Sequence, residues 1–345
     1  MAADTKIEWT DATWNPVTGC SVQSPGCKNC YAMKLAGTRL RHHPSRAGLT
    51  QVSAAGPVWT GETRFNAEWL EQPLQWTRAR MIFVCAHGDL FHPSVPDEWI
   101  DQVFAVMALT GRHTFQVLTK QAKRAAEYFA HPVREALIGQ QVGQINLRRT
   151  GNPVAAWSGL PLPNVWIGAS AEDQRRLDER LPHLVGIPAA VRYLSLEPLL
   201  GAVEIDRRLI APIEGTSQHG QHFIDWVIVG GESGHGARPM HPGWARSLRD
   251  QCVAAGVAFF FKQWGEWRPM QSEEIPHGGG SFELVSADER RPIASGCFQP
   301  AHAIESMLND PAFSWQCPVV KVGKKAAGRR LDGRTWDQFP EEGRP

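Results

Sequence analysis

M-I-F-V-C-A, residues 81–86, is a short apolar run that ends in the polar stretch H-G-D-L-F-H, residues 87–92. A run of this length between polar boundaries reads as a buried strand. A helical segment, Asp97 to Leu109, follows, with Pro96 at its entry. The same alternation then repeats along the chain. T-F-Q-V-L-T (114–119) ends in Lys120 and precedes helical Ala122 to Phe129, and V-W-I-G-A-S (165–170) precedes charged, helical Ala171 to Leu184. V-R-Y-L-S-L (191–196) ends at Glu197 and Pro198, and D-W-V-I-V-G-G (225–231) ends at Glu232, Ser233 and Gly234. Helical Pro242 to Ala255 leads to the last run, V-A-F-F-F-K-Q-W-G (257–265). Six runs, with a seventh expected around Ile7 to Trp14, indicate repeated β-α units and a parallel sheet. Polar residues and glycines gather after each run, at the C-terminal strand ends where barrels and open α/β sheets carry their sites. The pattern alone does not separate a barrel from a doubly wound sheet.

Between these units the reading is coarser. Tyr31 to Leu40 and Glu68 to Arg80 have helical composition, whereas Pro44 to Pro57 and Ile138 to Pro163 read as irregular. From about Met270 the rhythm is lost. The expected organisation is therefore a β/α body over residues 1–268 and an irregular extension over 269–345. The extension carries K-V-G-K-K-A-A-G-R-R-L-D-G-R (321–334), with six Lys or Arg and one acid. Such a stretch is either a solvated arm or a contact for phosphate or nucleic acid.

The 345 residues are 42% hydrophobic with a formal net charge of +1, which supports a real core and gives no whole-molecule attraction for nucleic acid. No run of about 18 apolar residues is present to span a bilayer. The start lacks a basic tip followed by an apolar run, so no secretory signal is expected. The expected location is the cytoplasm, where thiols stay reduced and clustered cysteines favour a metal site over a disulfide framework.

Such a cluster exists. W-N-P-V-T-G-C-S-V-Q-S-P-G-C-K-N-C-Y-A, residues 14–32, places Cys20, Cys27 and Cys30 within one glycine- and proline-punctuated loop. Three thiolates suit a [4Fe–4S] cluster with one iron left open. A tetrahedral zinc site needs a fourth ligand, for which His42 or His43 is the candidate. Dithiol redox chemistry needs only two of the three.

At these residues the chain resembles a known group. A cysteine-rich loop ending in N-C-Y-A early in the chain is similar to the radical S-adenosylmethionine superfamily, although the first gap is six residues where the common pattern has three. W-T-D-A-T-W-N-P-V-T-G-C resembles the three-Cys-motif phage protein family, as do H-G-D-L-F-H, V-L-T-K, S-L-E-P-L-L-G, V-G-G-E-S-G and F-K-Q-W-G. That resemblance implies a partial or near-complete (β/α) TIM-type barrel with the cluster loop after its first strand. It implies a [4Fe–4S] cluster on Cys20, Cys27 and Cys30, S-adenosylmethionine on the open iron, and a 5′-deoxyadenosyl radical that abstracts hydrogen. It also implies an external electron donor, and a separate partner enzyme is a further expectation. Gly88 and Asp89 occupy the place of the superfamily's contact to the methionine amino group. Gly230, Gly231 and Glu232 fit the ribose and adenine contacts.

The remaining strand-end residues are read from their chemistry. Ser170 suits a hydrogen bond to a carboxylate or ribose hydroxyl, or a helix cap. Lys120, Glu197 and Lys262 are the catalytic candidates: an inward Lys needs a pair or an anion, and Glu197 and Glu232 are its natural partners. Arg192 is the structural alternative for Glu197. Asn15, Gln263 and Trp264 complete a polar mouth with an aromatic wall able to stack a base. The substrate class expected is DNA or a nucleobase, in repair or modification. The rival reading is a zinc-stabilised nucleic-acid-binding protein without catalysis. No phosphate loop of the G-x-x-x-x-G-K-[ST] kind and no H-E-x-x-H is present.

Overall fold

The computed structural model describes residues 5–155, 157–211, 223–270, 282–286 and 316–340. Seven strands form one parallel sheet: β1 Ala12–Trp14, β2 Met81–Val84, β3 Thr114–Thr119, β4 Val165–Ser170, β5 Val191–Leu196, β6 Trp226–Gly230 and β7 Ala258–Gln263. Their order in space is their order in sequence. A doubly wound sheet reverses that order at a switch point, so the choice left open by the run pattern falls to a curled half-barrel. β1 and β7 are its two edges and do not pair.

The crossovers are helical because one apolar face of each covers the outer side of the sheet. The helices that do so are α2 Asp97–Ala108, α3 Ala122–Phe129, α4 Arg134–Thr150, α5 Gln174–Val185 and α6 Pro242–Ala255, whereas α1 Tyr31–Gly37 buries its face in a separate small cluster. Outward residues such as Ile82, Val84, Phe115, Val117, Ile167 and Val227 join this outer core, whereas Phe83, Trp166, Tyr193, Trp226 and Phe260 fill the concave side. The alternation follows from the two-residue period of a strand. Gly168 shows how tightly the interior is filled. A Cβ there would stand 2.5 Å from the Tyr193 ring.

Several local expectations are corrected. Residues 134–150 form a 17-residue helix where an irregular insertion was expected from Ile138. Its two glycines are packing positions: Gly139 faces the Trp157 indole and Gly143 the Pro153 carbonyl. Residues 50–59 form a hairpin, Thr50–Ser53 with Gly56–Trp59, where an irregular excursion was expected, and it packs behind α1. Glu68 to Arg80 is helical only over Ala67–Leu70, followed by a 3₁₀ turn at Gln72–Gln75 that starts around Pro73.

Across the expected boundary at 268, Trp267–Pro269 pairs with Gln316–Lys321, which also pairs with Phe282–Ser286. The chain then returns to the barrel. The Phe261 N–H donates to the Trp336 carbonyl, the Gln338 N–H donates to Phe259, and Phe339 packs on Trp226 and Phe260. This segment covers the edge of β7 that a seventh strand would otherwise leave exposed. No helix among the described residues is long and apolar enough to cross a membrane.

Gly168→Ala is expected to lower stability by about 1–3 kcal/mol through overpacking. Urea unfolding of Gly168→Ala, Tyr193→Leu and the double variant should give a penalty well below the sum of the two single changes.

Candidate functional site at the strand ends

The cysteine loop crosses the C-terminal mouth of the half-barrel. It leaves β1 through Gly19, whose N–H donates to His87 O beside β2. Pro25–Cys27 make one 3₁₀ turn, and Cys30 is the residue before α1. All three thiols are free. Burial, joined by Asp89, Cys27 and Cys30, pushes the Cys20 thiol well above its ordinary value. Burial also raises Cys30, against backbone hydrogen bonds at Met33 and Ala32 and the positive charge of Lys120. Without a metal these two thiols therefore hold their protons at neutral pH, and metal binding must release them.

Two buried glutamates hold the loop in place. Glu172, with a fully buried side chain, accepts from the Gly26 N–H at 3.1 Å, from Lys120 Nζ at 3.3 Å and from Arg180 Nη1 at 3.2 Å. Burial opposes its ionisation, but Lys120, the Ser24 hydroxyl, Arg180 and the Gly26 N–H outweigh that and bring the carboxyl down to about 2. On the other side, Glu232 accepts from Asn29 Nδ2 at 2.9 Å and pairs with Arg238, which also donates to the Pro25 carbonyl at 3.0 Å. Burial opposes ionisation of Glu232 as well, and the bonds from Arg238 and Asn29 prevail, so its pKa is lowered. The Tyr31 hydroxyl adds a bond to Ala86 O at 2.7 Å.

Beneath the loop lies a row of polar strand ends. Lys120 Nζ donates to Ser170 Oγ at 2.8 Å. Lys262 pairs with Glu197 at 3.2 Å, and Ser195 Oγ donates to the same carboxylate at 3.4 Å. Gly230 makes room for this pair, since a Cβ there would fall 2.4 Å from a Glu197 oxygen. Arg192, the structural alternative, instead donates from Nε to Ile187 O, and its backbone N–H donates to Asp225.

The other sequence-predicted residues have internal partners. Asp89 accepts from the Phe91 N–H, the Thr119 hydroxyl and the Lys120 N–H, tying the end of β2 to that of β3. A Cβ on Gly88 would meet the backbone of Thr18 and Gly19, and one on Gly231 would meet the Trp264 carbonyl. Trp264 is buried in the outer core with its indole N–H on Arg330 O, so it does not wall the mouth. Asn15 Oδ1 holds the His87 N–H. Burial, with Arg46 alongside, brings His87 down to about 4. His42 accepts from Arg41, and His43 is bonded to Ser45.

Glu172 is the anchor of the loop that the pattern hid. Reading the helix from Ala171 placed it inside a charged helical face. The helix begins at Gln174, because Asp173 is its N-cap and accepts from the Arg176 N–H at 2.8 Å. Glu172 therefore belongs to the strand end. The signal was available in the Asp at 173.

Among the described residues no group of three or more His, Cys, Asp or Glu side chains is gathered to hold one metal ion. The three free thiols lie on one loop, and Cys27 and Cys30 both contribute to the charge felt at Cys20.

One family model, described as "Protein of unknown function (DUF5131)", matches residues 4–340. No curated protein and no solved structure matches the chain.

Glu172→Gln is expected to cost about 3–5 kcal/mol at neutral pH, because it leaves Lys120 and Arg180 buried without their carboxylate. Unfolded, the group titrates near about 4.3. Its folded value is depressed, so its contribution is complete above about pH 5 and is lost as pH falls from about 4.5 towards 2. Urea unfolding of both proteins across that range should show the gap closing with acid. A gap that does not change with pH contradicts the assignment.

Proposed function

We propose, for a chain that belongs to this DUF5131 family, that it is a radical S-adenosylmethionine enzyme of the kind its three-Cys-motif phage protein resemblance implies. The observation that carries the reading is the placement of three free thiols on one loop. That loop follows the first strand of a parallel half-barrel and is held over the polar mouth by Glu172 and Glu232.

In this reading Cys20, Cys27 and Cys30 hold three irons of a [4Fe–4S] cluster and leave the fourth to S-adenosylmethionine. When bound, the pair supplies the one-electron cleavage that begins a hydrogen abstraction, with electrons from an external donor. The chain's own residues bind, orient and exclude water. Gly88 and Asp89 shape the β2 side of the mouth, and Gly230, Gly231 and Glu232 the β6 side. Ser170 lies between Lys120 and the Glu197 carbonyl, with its hydroxyl available to a ribose or carboxylate. Lys120, Glu197 and Lys262 meet the substrate. The Lys262–Glu197 pair can open towards a substrate that brings both an anion for Lys262 and a donor for Glu197, so that neither charge is left unmatched. The substrate class is DNA or a nucleobase, in line with the basic stretch at 321–334, where Lys325, Arg330 and Arg334 are exposed. The setting is a reducing compartment such as the cytoplasm, and a separate partner enzyme completes the reaction.

Anaerobic reconstitution with iron and sulfide should load about four irons per chain and give a brown protein. With reductant and S-adenosylmethionine it should release 5′-deoxyadenosine. Cys20→Ala, Cys27→Ala and Cys30→Ala should each abolish that release. One zinc per chain with no iron contradicts the reading.

Single-stranded DNA binding, measured by fluorescence anisotropy, should weaken with salt and in a Lys325→Ala/Arg330→Ala double variant. Binding unaffected by either change contradicts the nucleic-acid assignment.

A further inference from the structure

Trp264 does not wall the mouth, but Tyr31 offers a ring beside it. Tyr31 opens α1 directly after Cys30, so it continues the cysteine loop. It is 50% exposed, whereas Trp166, Trp226 and Trp264 are buried. Its hydroxyl is spent on Ala86 O at 2.7 Å, so the exposed part is the ring. His87 stands T-shaped against that ring, with centroids 5.9 Å apart. His87 is itself held at Nδ1 by Arg46 Nη2 at 2.8 Å and at its backbone N–H by Asn15 Oδ1 at 3.0 Å. A ring fixed at its tip and its flank loses little freedom when a ligand lies on it.

The surroundings are cationic. Residues 12–67 contain Lys28, Lys34, Arg39, Arg41, Arg46 and Arg64 against one acid, Glu62, in a chain whose net charge is only +1. Lys28, Arg39 and Arg41 are exposed. Among the described residues none of the six pairs with a carboxylate. Lys34 reaches only neutral acceptors, Asn29 Oδ1 and the His235 carbonyl, and Arg41 reaches His42. Arg46 is buried, with Ser45 and His87 as its partners. Burial, with Arg64 alongside, brings its pKa down to about 10, so it stays charged at neutral pH. A buried cation without a carboxylate acts through space and adds positive potential beneath the Tyr31–His87 pair. Glu172 and Glu232, the carboxylates that anchor the loop, are committed to their own cations.

An immobilised, exposed ring among cations without carboxylate partners suits planar bases joined by phosphates. A simple polyanion would leave the ring unused. A single strand fits better than a duplex, because its bases are free to stack on a side chain. We propose that Tyr31 is a stacking platform for one base of a single DNA strand, whose neighbouring phosphates are held by Lys28, Lys34, Arg39 and Arg41. The platform presupposes the DNA substrate class proposed above and gives that substrate its place on the rim.

Fluorescence anisotropy on the full chain, with a single-stranded oligonucleotide and with an abasic strand of equal length and charge, tests it. Tyr31→Leu should weaken binding of the normal strand about five- to hundredfold and leave the abasic strand unaffected. Tyr31→Phe, which keeps the ring, should bind like the parent. Lys28→Ala/Arg39→Ala/Arg41→Ala should weaken both strands and reduce the slope of log affinity against log salt by about two. The platform is overturned if Tyr31→Leu binds like the parent, if it weakens the abasic strand equally, or if the triple variant leaves affinity and slope unchanged. No strand binding by the parent overturns it together with the DNA class. Release of 5′-deoxyadenosine by a protein whose strand binding ignores Tyr31 overturns the platform and leaves the radical chemistry standing. Strand binding through Tyr31 without that release supports the platform and removes the chemistry.

Discussion

A single carboxylate organises the mouth of this barrel. Glu172 is buried, yet it is held ionised by two cations and by donors from the cysteine loop. A charge in that position is tolerable only when fully compensated. The compensation is what joins three parts of the chain: β3 through Lys120, α5 through Arg180, and the loop through Ser24 and Gly26. The loop has little regular structure of its own, so its shape is borrowed from these bonds. Glu232 repeats the arrangement from β6, using Asn29 and Arg238. Three thiols are thereby fixed between two anionic anchors, one paired with Lys120 and Arg180 and the other with Arg238.

That arrangement divides the strand ends by role. Asp89, Glu172 and Glu232 have their oxygens committed to bonds inside the protein. Lys262 and Glu197 have chiefly each other, with Ser195 alongside, and Gly230 leaves the carboxylate room. An ion pair of this kind can open towards a ligand. The committed carboxylates cannot do so without releasing the loop. The fold supports the distinction, because a sheet wound in one direction brings every strand end to one rim.

Much of the fold was legible because strand and helix periods differ and the chain keeps to them. The six runs from Met81 to Gln263 became six neighbouring strands, and helices such as Ala122–Phe129 and Pro242–Ala255 fell where apolar periodicity and Pro entries indicated. The order of the strands was not legible from the runs. It depends on which edge each new strand joins, and the runs carry no record of that. The helix over Arg134–Thr150 was read as irregular from Ile138; Gly139 and Gly143 within it admit neighbouring segments. In the site, the three cysteines were visible by spacing. Glu172 was not, because its role comes from a loop residue 146 positions away. Trp264 looked like a wall for a base, but the pairing of β7 shifts by one residue beyond Phe261, and Trp264, just past the strand, packs with Phe261 in the outer core.

Electron paramagnetic resonance of the reconstituted, reduced protein, recorded with and without S-adenosylmethionine, tests the central claim most directly. The account predicts the signal of a reduced cubane that shifts when the sulfonium compound is added, because the fourth iron takes a new ligand. A cubane spectrum indifferent to the addition, or no iron signal at all, would contradict it.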